Sequence, residues 1–252
     1  VTDTAASPDG GPEPAVLDTV TALELLRNGE LSVRGRLVDA SNATLYCEIG
    51  RGELTATCVY KPVRGERPLW DFPDGTLAGR EVAAYLVSEA TGWNIVPPTV
   101  LRDGPFGEGM VQLWVHGDPT VDLGELVRRD DPALRRMSVY DVVVNNADRK
   151  GGHLIPMPDG HIYGVDHGVT FHPQNKLRTV LWGWSGERLT ADARQTLAAL
   201  AERLAGDLGE TLAELLTARE VAATDRRVRR LLSTGRHPQP SGDWPPVPWP
   251  PF

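Results

Sequence analysis

At 252 residues the chain is long enough to bury a full core, as one large domain or as one domain of two lobes. Its formal charge of −8 argues against a general nucleic-acid binder and against a strongly electrostatic membrane binder. The longest apolar runs fall far short of a membrane span and no signal peptide precedes them, so a soluble cytoplasmic protein without a transmembrane segment is expected.

Residues 1–14, rich in Pro, Gly, Ser and Asp, predict a disordered arm. Leu17, Val20 and Leu23 then recur at helical spacing, and Gly29 ends that short amphipathic helix. Strands are predicted over 32–38, 43–49 and 53–61, with Gly50-Arg51-Gly52 as a tight hairpin between the last two. Cys47 and Cys58 fall among apolar residues on neighbouring strands and read as buried free thiols; with no histidine near them they do not make a zinc site. A helix over 77–90, terminated by Gly92, leads to strands over 96–101 and 109–115 joined by the turn-rich 102–108. His116-Gly117-Asp118-Pro119 punctuates a boundary, 121–127 is a short helix or connector, and Asp131-Pro132 opens a helix running to Val144.

The stretch 142–170, VVVNNADRKGGHLIPMPDGHIYGVDHGVT, holds most of the functional signal. An apolar run ends in a polar loop with Asp148, Arg149 and His153; two short apolar segments flank a turn at 156–160, and the second ends in Asp166-His167-Gly168. Hairpin-linked strands, each flanked by an acid, hold two carboxylates in one cleft. Phosphoryl transfer needs that arrangement, one carboxylate orienting the attacking hydroxyl and another holding the metal that bridges the phosphates.

The string N-N-A-D-R-K-G-G-H-L-I followed by I-Y-G-V-D-H-G resembles the catalytic and metal-binding loops of the phosphoinositide 3-/4-kinase-like superfamily. Within it the type II phosphatidylinositol 4-kinases and a small actinobacterial kinase-like group are nearest. The match extends in order, more weakly, back to about residue 40, and no motif is recognised beyond about residue 190. The resemblance implies an α+β, two-lobed protein-kinase-like fold: an N-lobe over 15–117 with an antiparallel sheet, a mainly helical C-lobe over 118–236, and a Pro/Trp-rich tail over 237–252.

It also implies roles. Asp148 would meet the acceptor hydroxyl and Asp166 would hold metal. His153 stands where the family has a metal-binding Asn, a departure because Mg²⁺ prefers oxygen and imidazole suits softer ions; it would bind Mn²⁺, touch phosphate or shape the loop. Arg149 would reach the γ-phosphate or pair with an acidic neighbour. Lys61 at a strand end and Glu81 in the following helix match the pair that holds the nucleotide phosphates, with Glu89 as the competing carboxylate. Ser41 and Asn42, in the first strand turn, would lie over the phosphates, and Gln112, Leu113, Trp114 and Val115 are hinge candidates for the adenine edge. The implied cofactors are ATP with Mg²⁺ or Mn²⁺. The implied function is γ-phosphate transfer to a hydroxyl acceptor: protein Ser/Thr, an inositol-type small molecule or a phosphoinositide. A nucleotide-binding pseudokinase scaffold and an adenylyl transferase on the same fold are the alternatives.

Other chemistries have less support. The histidines at 153, 161, 167 and 172 are crowded, yet no H-E-x-x-H or H-x-E…C-x-x-C spacing occurs, and there is no G-x-S-x-G elbow. Beyond 190, helices are predicted over 190–206, 210–218 and 222–234. The last carries Arg226, Arg227, Arg229 and Arg230, either a solvated face or a contact for phosphate or acidic substrate. The tail, with Trp244 and Trp249, reads as polyproline-like, packing along a lobe or filling a partner's groove.

Overall fold

The computed structural model describes residues 17–37 and 43–252. Helix α1 (Thr19–Asn28) begins where Asp18 accepts the N–H of Thr21 at 3.0 Å and stops at Gly29, whose N–H donates to the Leu25 carbonyl. Strands β1 (Glu30–Arg36), β2 (Leu45–Arg51) and β3 (Leu54–Pro62) follow as a meander, Gly52 taking the left-handed φ of 63° that the β2–β3 turn requires. Helix α2 (Leu77–Thr91) ends at left-handed Gly92, and the hairpin β4 (Thr99–Gly104) and β5 (Gly107–Leu113) completes an antiparallel sheet of order β1-β2-β3-β5-β4.

The alternation of strand side chains decides what each face does. Cys47, Ile49, Cys58, Tyr60, Val100 and Val111 pack with Leu25 and Leu26 of α1. Met110 packs instead with Ala78 and Val82 of α2. Lys61, one residue past Tyr60, therefore turns toward α2. The two cysteines pair across β2 and β3 as free, buried residues, and burial pushes their thiols up to about 11 and about 12, which keeps them protonated.

The second half is helical. After a short α3 (Leu123–Leu126), α4 (Pro132–Val144) starts from an Asp131 cap with Pro132 in its first turn and closes on Asn145, a left-handed residue at φ 53°. Strands β6 (Leu154–Pro156) and β7 (Ile162–Gly164) form the expected small hairpin, and α5 (Ala191–Leu204), α6 (Asp207–Leu212) and α7 (Ala218–Thr234) complete the chain's regular elements. The largest core joins α2, α4, α5 and α7. Among the described residues no helix is long and apolar enough to cross a membrane.

Several boundaries differ from the sequence expectation. The β4–β5 hairpin is shifted: β4 starts at Thr99 because Pro97 and Pro98 have no N–H to give a ladder, and pairing runs out to Gly104 and Gly107. Helix α7 begins at Ala218 rather than 222, because Thr217 and Glu220 form a reciprocal cap. The predicted 210–218 helix lies earlier and is shorter: α6 runs Asp207–Leu212.

Candidate active site

Lys61 leaves β3 toward the space between the halves, where its Nζ lies 2.7 Å from Glu81 Oε1 and 2.9 Å from Asp166 Oδ1. Glu81 is delivered by the first turns of α2, and Asp166 by the loop after β7. Three residues far apart in sequence thus meet through one ammonium. Glu89, the competing carboxylate, lies two turns further along α2. Burial works against the Lys61 charge, but Asp166 and Glu81 outweigh it and hold its pKa above the ordinary value. Lys61 in turn holds the Asp166 carboxyl well below the usual carboxylate range. Asp166 sits at φ 61°, a conformation that costs about 1–2 kcal/mol for a non-glycine residue and concentrates at functional loops.

His153 ends the loop that follows α4, with its Nε2 3.5 Å from Asp166 Oδ2. Burial lowers its pKa to about 4, so the imidazole is neutral at physiological pH. The Lys150 N–H points at His153 Nδ1 from 3.4 Å, which favours the tautomer carrying its proton on Nε2, toward Asp166. That places His153 as a support for Asp166; direct metal ligation through Nε2 would need the other tautomer.

Asp148 is partly exposed beside Lys150, 3.5 Å away. Its backbone N–H donates to Asn146 Oδ1 at 3.0 Å. Burial and the nearby Asp166 raise its pKa against the opposing pull of Lys150. A carboxylate made more basic in this way is better suited to accept a hydroxyl proton.

Arg149 takes the second of its two expected roles. It is fully buried and grips Asp141 of α4 from Nε (3.2 Å) and Nη2 (2.9 Å), donates to the Val165 carbonyl at 3.2 Å, and lies 2.6 Å from His167 Nε2. It braces the Asp148 loop against the Asp166 loop and is fully buried. Asp141, which the sequence reading passed over, also accepts from Asn146 and Thr179. A single acid inside the apolar run Val139–Val144 was the available signal.

The other expected positions divide. Ser41 and Asn42 lie outside the described residues. Gln112 is buried and donates to Thr99 Oγ1, and the N–H groups of Leu113 and Trp114 donate to the Pro98 and Thr57 carbonyls. Those groups serve the sheet; of the four hinge candidates, Val115 alone lies past these bonds.

Two further contacts were missed. Arg80 of α2, fully buried, reaches Glu220 of α7 at 2.6 Å and the Thr170 carbonyl at 2.8 Å, tying the N-terminal half to the C-terminal one. The tail also returns to the site: Pro251 O accepts the Gly151 N–H (2.8 Å), and Pro246 O accepts from Thr179 N and Trp182 Nε1. Trp244 stacks on Trp70 with ring centres 6.4 Å apart, and Lys176 Nζ lies 4.7 Å from both rings. Packing along the lobe is thus what the tail does here.

Among the described residues no group of three or more His, Cys, Asp or Glu side chains is arranged to hold a cation by itself. A divalent ion in a phosphoryl-transfer site takes one or two carboxylates and completes its shell with phosphate oxygens and water. The half-exposed, ionised Asp166 carboxylate fits that demand.

A five-stranded antiparallel sheet with its helix, set over a helical half and bridged by a Lys–Glu–Asp contact, defines a two-lobed protein-kinase-like fold. The proinflammatory kinase CtkA of Helicobacter pylori shares that architecture, with a TM-score of 0.51 over 84% of this chain and 94% of that one at 12% identity. The chain belongs to the family of protein Rv2133c of Mycobacterium tuberculosis, to which it is 49% identical over 263 aligned positions, 90% of this chain and 94% of that protein. No protein-family model matches the sequence.

Proposed function

We propose that this chain is an ATP-dependent kinase that transfers the γ-phosphate to a hydroxyl acceptor. The observation that supports it is Lys61 held between Glu81 and Asp166 across the two halves. In this reading Lys61, oriented by Glu81, meets the nucleotide phosphates. Asp166 would hold the metal, Mg²⁺ or Mn²⁺, with His153 beside its second oxygen. The bound ion supplies charge neutralisation between the phosphates. Asp148 receives the acceptor's proton and aligns its oxygen, Arg149 keeps both loops in register, and Val115 would meet the adenine edge.

The acceptor class follows from the resemblance alone: protein Ser/Thr, an inositol-type molecule or a phosphoinositide. Incubation with ATP labelled at the γ- or the α-phosphate, against pools of these three classes, tests the reading. Transfer of γ-label supports it. Transfer of α-label makes the protein an adenylyl transferase, and metal-dependent ATP binding without transfer makes it a pseudokinase.

A further inference from the structure

Away from the Lys61 site, a cleft of about 1140 Å³ opens between α7, the segment around Asn175 and the first part of the tail. Four arginines line it: Arg226, Arg227 and Arg230 from α7, and Arg236 just beyond Gly235. Asp243 is the acid on its wall. The chain as a whole carries a charge of −8, so this is a local reversal of sign.

The pairing of these arginines separates a solvated helix face from a binding wall. On the same helix Arg229 binds Asp225, through Nε at 2.7 Å. Arg226 and Arg230, spaced by one turn, are exposed and have no carboxylate partner among the described residues. Like charges at that spacing cost the helix a few tenths of a kcal/mol, about 0.2–0.5. Arg227, half-buried between them, donates to Val143 O, His172 O and Thr224 Oγ1, all neutral acceptors. Burial, and Arg226 beside it, push its pKa down to about 9 against the opposing pull of Glu220, so it is still protonated at neutral pH. Arg236 likewise donates to a carbonyl, that of Gly186. The guanidinium forks of Arg226 and Arg230, lining one concavity, match phosphate oxygens, which accept them two at a time.

We propose that this cleft binds a small soluble anion carrying two or more phosphate groups. The acidic charge of the chain as a whole opposes a long polyanion and favours a compact ligand. This inference is independent of the nucleotide site, because no residue of that site lines the cleft.

Calorimetric titration with tripolyphosphate in the absence of divalent metal tests it, on the whole protein and on the double variant Arg226→Ala/Arg230→Ala. Both side chains are exposed; Arg226→Gln/Arg230→Gln serves as a second pair should the alanine variant lose its fold. The expected result is binding that weakens at least about tenfold in the double variant, as loss of charge-assisted bonds predicts, and inorganic phosphate binding more weakly than tripolyphosphate. Absence of binding, equal binding by wild type and both double variants, or a preference for single phosphate would overturn the proposal.

Discussion

Glu81 accepts the backbone N–H of His167 at 2.8 Å through the carboxylate oxygen that does not hold Lys61. One buried carboxylate therefore fixes both the strand lysine and the loop that presents Asp166. Replacing it by glutamine keeps an acceptor for the His167 amide but removes the charge that orients Lys61. Glu81→Gln should lower folding stability by about 1–3 kcal/mol. If the proposed function holds, ATP with Mg²⁺ should raise the wild-type melting temperature and Glu81→Gln should abolish most of that rise. A Glu81→Gln protein stabilised by ATP as fully as wild type would remove Glu81 from the nucleotide-binding role.

Asp148, Arg149 and Asp166 are near neighbours with different expected phenotypes. Arg149 and Asp141 are both fully buried, so Arg149→Ala strands a carboxylate in the core and should cost about 3–5 kcal/mol, read as a lowered denaturation midpoint. Arg149→Lys should recover little of it, because an ammonium lacks the fork that spans both Asp141 oxygens. Asp148→Asn should leave stability and ATP binding within about 0.5 kcal/mol of wild type and remove transfer. Asp166→Asn, tolerated at a left-handed φ where alanine is not, should remove metal-dependent nucleotide stabilisation while the fold remains. Equal loss of ATP binding in the Asp148 and Asp166 variants would refute the division of labour.

The sequence made the local elements legible where pattern and punctuation agree: the Gly52 hairpin, the Asp131-Pro132 helix start, the Gly92 stop. It also marked Lys61, Glu81 and Asp166, because the resemblance supplied what spacing cannot, namely that positions 20 and 105 residues from Lys61 converge on it. What stayed hidden was partnership. For Arg149 the sequence left phosphate and an acidic neighbour both open, because nothing local says that Asp141, eight residues back on a helix, faces the same buried point. The Arg80–Glu220 bond spans 140 residues and depends on how the halves dock. The α7 start was readable, since Thr217-Ala218-Arg219-Glu220 is a capping sequence, but the apolar periodicity that sets a helix estimate begins later.

His153 gives the fold an acid sensitivity with a defined sign. Its pKa falls from about 6.5 to about 4 on burial, within reach of Asp166, Arg149, Lys150 and Lys61. Between those values the unfolded chain binds a proton that the folded chain refuses, so stability must drop as pH falls from 6.5 toward 4 and level off below. The cost is at most ~3.5 kcal/mol, at ~1.4 kcal/mol per unit. Buried His237 is also lowered to about 4 and adds a slope of the same sign. Denaturation midpoints measured from pH 4 to 7 should therefore decline on acidification, and His153→Gln should be distinctly flatter than wild type. Parallel curves for the two proteins would show that His153 does not titrate as its burial requires.

The tail's hold on the loop after Arg149 rests on Gly151. Its N–H donates to Pro251 O, and a β-carbon at that position would overlap the Phe252 ring. Phe252 is 56% exposed, so the ring can swing away with little loss of packing, whereas the loop behind Gly151 is anchored by the buried Arg149. Gly151→Ala should accordingly displace residues 244–252 without unfolding the lobe, at a cost below about 1 kcal/mol. Limited proteolysis should then cleave within that segment faster than in wild type, and Trp244 emission should shift to the red as the ring leaves Trp70. Phe252→Ala should partly relieve the clash, so the double variant should be less destabilised than the sum of the single changes. Additive losses, or an unchanged cleavage rate in Gly151→Ala, would mean that the strap is held by Trp244 and Pro246 alone.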